Sequence, residues 1–109
     1  MATKTVNNLR VSPTGISSVD ELLPTKSANG TYTVPDMSEY AWIILIGVIS
    51  GNPHDSITMT YNQFASGDPF TFVNYYNQTA RKITVAYVSD TSVSVTARNN
   101  INIKIVGVK

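Results

Sequence analysis

From Thr31 to Lys109 apolar and polar residues alternate in runs of six to ten, and turn formers stop the runs: Asn52-Pro53, Gly67-Asp68-Pro69, Ser89-Asp90-Thr91 and Asn99-Asn100. A period of two puts successive side chains on opposite faces of an extended chain, so each run reads as a strand with one buried face. The links between runs are too short for helical crossovers, which requires mostly antiparallel pairing. The pattern predicts an all-β fold, an antiparallel jelly-roll-like β-sandwich of about seven to eight strands. Strands are expected at 32–34, 40–50, 56–64, 70–76, 82–89, 92–97 and 101–108. The apolar phase of the last one breaks at Val106 and Val108, which predicts a bulge near Gly107 or a second buried face.

Residues 1–29 lack this periodicity and carry Pro13, Gly15 and Pro24 as breakers. They are expected to form an irregular N-terminal arm or linker, with the sandwich domain spanning 30–109. Ser18 and Glu21 have the spacing of a capping box for one helical turn before Pro24. The alternative is an irregular arm with Leu22 and Leu23 docked on a neighbour. The run Tyr40–Ile49 is apolar on both faces, with Tyr40, Trp42, Ile44, Ile46 and Val48 on one and Ala41, Ile43, Leu45 and Ile49 on the other. A sandwich strand normally wets one face. The second face therefore needs a cover, either the arm or another subunit. Trp42, the sole tryptophan, fits a core or a subunit contact better than a sugar platform.

Composition narrows the function classes. A chain of 109 residues fits one domain with a core of its own. Eight basic and seven acidic residues leave a formal charge of +1 without a basic stripe, so no nucleic-acid partner is expected. Only 14% of residues are charged, below the usual quarter or so, and Asn, Thr and Ser must supply the polar surface, as in many extracellular and virion β proteins. There is no cysteine, hence no disulfide framework and no thiolate chemistry. The longest apolar stretch is about half a membrane-spanning helix, and Met1–Arg10 has no apolar signal-peptide core, so no membrane insertion is expected.

No enzymatic activity is expected either. His54 is the only histidine, no Gly-x-Ser-x-Gly elbow accompanies it, and the carboxylates are dispersed. Most of those acids lie in or beside expected turns, where Asp is favoured for local hydrogen bonding. No metal cluster, no phosphate loop and no cofactor motif is present. Loop parity is more informative. Consecutive antiparallel strands alternate direction, so loops 51–55, 77–81 and 98–100 should share one end. That end holds His54, Asp55, Asn77, Arg98 and Asn99, with Tyr75 and Tyr76 beside them. Amides, a carboxylate, guanidinium groups and aromatic faces together suit a saccharide. Each also has a plainer reading, since Asn is a good turn residue and His54-Asp55 fits an exposed turn. Loops 65–69 and 89–91, at the other end, offer little beyond Asp68 and Asp90.

The polar arm, the opening Gly30-Thr31-Tyr32-Thr33-Val34-Pro35, the apolar Tyr40-Ala41-Trp42-Ile43-Ile44-Leu45-Ile46 and the closing strand Ile101–Lys109 together resemble the small β-sandwich tips of bacteriophage tail fibres and baseplate receptor-binding proteins. The resemblance covers residues 30–109 in texture, without a diagnostic motif and without a shaft or long coiled coil. It implies a homotrimer on the virion that recognises host cell-surface saccharide, with the arm contacting other tail or baseplate proteins. The alternatives are a structural virion protein without a ligand and a carbohydrate-binding module of a secreted bacterial protein.

Overall fold

The computed structural model describes residues 18–26, 29–76, 79–98 and 101–109. Eight strands run β1 (Val19–Lys26), β2 (Gly30–Thr33), β3 (Trp42–Ile49), β4 (Asn52–Thr60), β5 (Phe70–Tyr76), β6 (Thr79–Ser89), β7 (Ser92–Arg98) and β8 (Ile101–Val108). A 3-10 turn, Met37–Glu39, precedes β3, and one short helix, α1 (Tyr61–Ala65), follows β4. The strands form two four-stranded antiparallel sheets, here sheet A in the order β1-β8-β3-β4 and sheet B in the order β2-β7-β6-β5. The all-β sandwich expected from the alternation is present. β1–β8 and β2–β7 nest as they do in a jelly roll, whereas β3–β4 and β5–β6 close as hairpins within one sheet, which departs from that strand order.

The inward residues fall on alternate positions, as period two requires. Ile43, Leu45 and Ile49 of β3 and Ile101, Ile103 and Ile105 of β8 meet Ile83 and Val85 of β6 and Val93 and Val95 of β7, all essentially inaccessible. Phe64 plugs one end of this core, with its ring edge-on to Tyr87 at 5.9 Å and stacked with Phe70 at 6.1 Å.

Three expectations need correction here. Val19–Lys26, assigned to the arm, is a strand of the sandwich paired with β8, so Ser18 and Glu21 do not cap a helical turn. Two register shifts in β1 turn both Leu22 and Leu23 inward, which hid its period from a reading of the sequence. The rest of the expected arm, residues 1–17, lies outside the described residues. The expected strand 56–64 stops at Thr60, because the Thr60 side chain accepts from Gln63 N–H while the Gln63 side chain accepts from Thr60 N–H, a capping box that starts α1. Tyr40 precedes β3 and is buried in the core instead of joining the outer face with Trp42. Of the two readings of the phase break in β8, no bulge interrupts the β3–β8 ladder at Gly107, while the second face is partly covered, with Val108 buried and Val106 half-buried; Tyr40 lies over the Gly107 backbone, where a Cβ would stand 2.5 Å from Tyr40 Cδ1 and 2.9 Å from Leu22 Cδ1.

The outer face of β3 is apolar. Trp42 remains 46% exposed, Ile44 and Ile46 are half-buried, and Val19 across the sheet is 60% exposed. Val48 and Val108 are buried yet stand outside the core cluster.

Candidate functional site

At the end carrying α1 and the β6–β7 turn, the Asp90 carboxylate accepts from the hydroxyls of Tyr61 at 2.5 Å and Tyr87 at 2.7 Å. The Asp90 carbonyl accepts from Met37 N–H at 2.8 Å, and Thr91 C=O from Val34 N–H at 2.9 Å. Hydrogen bonds from Tyr61 and then Tyr87 hold the Asp90 carboxyl below its ordinary range, while the same bonds, helped by burial, raise both tyrosines. Close by, Tyr40 OH donates to Asp20 at 2.7 Å, which pushes the tyrosine up to about 12. This end is tied shut by its own chain, and its best-placed carboxylates serve tyrosine hydroxyls.

At the opposite end, strand pairing gathers the termini named by parity. Ile49 pairs with both Asn52 and Ile101, Tyr76 pairs with Thr79, and Arg98 pairs with Lys82. The expected loop 51–55 is not a loop, however. Ser50 and Gly51 take left-handed backbone angles, φ 52° and 79°, so a two-residue turn suffices and β4 begins at Asn52. Pro53 is tolerated because β4 is an edge strand, and His54 is the extra residue of a bulge, since Val48 pairs with Pro53 and Gly47 with Asp55. His54 and Asp55 are thus exposed strand residues on the edge of sheet A. Tyr75 and Tyr76 end β5 and Arg98 ends β7, all in sheet B. Asn77 and Asn99 lie outside the described residues. Pairing brings Arg98 beside Lys82 but places His54 and Asp55 in the other sheet.

Beside Arg98 the surface forms a cleft of about 250 Å³ lined by Asn29, Lys82, Thr84, Thr96 and Ala97. Its origin is a mismatch in strand length. β2 has four residues and pairs only as far as Gly30 with Val95, while β7 continues to Arg98. Asn29 fills the vacated ladder position, its Oδ1 accepting from Ala97 N–H at 2.6 Å. Thr84 and Thr96 are direct cross-strand partners, and Thr84 Oγ1 is hydrogen-bonded to Thr71 Oγ1 at 3.0 Å. No carboxylate or imidazole is among the lining residues. Among the described residues no group of three or more His, Cys, Asp or Glu is placed to hold a metal, and no described helix is long and apolar enough to cross a membrane.

None of these residues stands out in the sequence as a binding residue. Alternation already puts Lys82 and Thr84 opposite the buried Ile83 and Val85, but only the strand order reveals that Thr96 and Asn29 stand next to them. No family model matches the chain, and neither a curated protein nor a solved structure does.

Proposed function

We propose that this chain is a non-enzymatic recognition module of the virion tail or baseplate type that binds a host cell-surface saccharide, built on a jelly-roll-like sandwich. The observation that carries the reading is the cleft beside β2. Its amide, hydroxyl and ammonium groups match the hydrogen-bonding demands of sugar hydroxyls, and all but the Asn29 amide stand on strands, which hold their positions. With neither carboxylate nor imidazole in the lining, the cleft offers binding groups without a general acid–base pair of the usual kind. The virion setting rests on the resemblance of the sandwich to tail-fibre tips.

Self-association belongs to the same reading, as a trimer of identical chains meeting through the outer face of sheet A. The patch around Trp42, Ile44 and Val19 is apolar, and its flanking charges Glu21 and Lys104 neutralise each other at 3.3 Å. Copies therefore meet there without net like-charge repulsion.

The test is binding of the labelled full chain to bacterial cells before and after periodate treatment, which cleaves vicinal diols of surface sugars. Binding that disappears with periodate and survives protease treatment of the cells supports the proposal. Binding removed by protease alone, or absent from every cell type tried, overturns it and leaves a structural role.

A further inference from the structure

Within the saccharide reading, on which this step rests, the cleft also specifies a ligand class. We infer that the saccharide carries an acid group, a carboxylate, sulfate or phosphate ester, and that Lys82 is the residue that receives it.

Three observations converge. First, the lining is rich in donors. Asn29 spends its carbonyl oxygen on Ala97 N–H, so its Nδ2 remains the hydrogen-bonding group facing a ligand. Lys82 brings three further donors and no acceptor. Of the side-chain hydroxyls, Thr84 already shares a hydrogen bond with Thr71. Second, Lys82 differs from the other two lysines whose side chains are described. Lys104 holds Glu21 at 3.3 Å and Lys109 holds Glu39 at 3.6 Å, whereas no carboxylate lines the cleft with Lys82. Third, Arg98 is the cross-strand partner of Lys82, so the ladder carries two cationic residue types at one register position. A register position that carries two cationic residue types favours an anionic ligand over a neutral one. A neutral sugar would gain nothing from the charge.

The experiment screens the full-length protein on a glycan array that holds neutral, uronic-acid, sialylated, sulfated and phosphorylated members. The bound glycans are then titrated against the wild type and Lys82→Met, with Lys104→Met as the control for a surface charge elsewhere. The expected hits are acidic glycans, weakened about tenfold by Lys82→Met and unaffected by Lys104→Met. Their affinity should fall as salt rises. Neutral hits alone, or acidic hits indifferent to Lys82→Met, overturn this inference and leave the saccharide reading standing. An array without hits counts against both, and the periodate test then shows which of them has failed. Inorganic sulfate and phosphate form the final arm. If either binds as tightly as the acidic glycan, the cleft is a simple anion site and the inference is wrong.

Discussion

At the scale of single residues, two positions are dictated by what lies over them. Gly107 sits inside a regular ladder with Tyr40 above it, and a side chain would enter space already filled. Gly107→Ala is expected to cost about 1–3 kcal/mol, as overpacking of a core does, measured by urea unfolding at pH 7. An unchanged midpoint would mean that Tyr40 moves aside freely. Tyr40 also carries a pH signature. Its acceptor Asp20, followed by burial, pushes it up to about 12, so folding favours the neutral phenol. The stability linked to it is complete below the unfolded value near 10 and is lost as pH rises from there through about 12. Tyr61 and Tyr87, raised by Asp90, act in the same direction. Melting temperature should therefore fall steeply between pH 10 and 12, and Tyr40→Phe should flatten part of that fall. Equal slopes for the two proteins would contradict the linkage.

Among the elements, the legible ones were those whose core residues keep period two. β5, β7 and β8 begin and end within a residue of their expected bounds, because Phe72, Val93, Val95 and the isoleucines of β8 alternate cleanly. β1 was not legible because its bulges destroy the period, and α1 was missed because Tyr61 and Phe64 fit a strand as well as a helical turn. The deciding signal for α1 was local and present in the sequence: Thr60 and Gln63 stand at capping-box spacing. Thr60→Ala is expected to lower stability by about 1 kcal/mol, checked by denaturant unfolding, with Thr60→Ser close to the wild type. The cleft had no such local signal. It exists because β2 is shorter than β7 and because chain segments distant in sequence become neighbours, and a strand order is not written in any one run of residues.

For the whole molecule, exposed apolar residues occur on both outer faces, Val73 and Val88 on sheet B and Val19 and Trp42 on sheet A. Sheet B carries the hydroxyl-rich cleft, and sheet A carries the apolar patch at Trp42. As the only tryptophan, Trp42 reports directly on what covers that patch. If copies associate through it, Trp42 emission should shift to the red and acrylamide quenching should rise on dilution, in step with dissociation seen by sedimentation. A concentration-independent, shielded Trp42 in a monomer would assign the cover to the segment before Ser18 instead. Expected and observed sites meet only in part. Arg98 lies beside the cleft by register, whereas His54 and Asp55 belong to the edge of the other sheet. The most direct measurement is cell binding by the full chain with the cleft filled, Thr96→Trp, with the melting temperature as a check on folding. The recognition account predicts loss of binding at an unchanged melting temperature. Wild-type binding by Thr96→Trp, with loss instead in His54→Ala or Asp55→Ala, would contradict it and move recognition to the edge of sheet A.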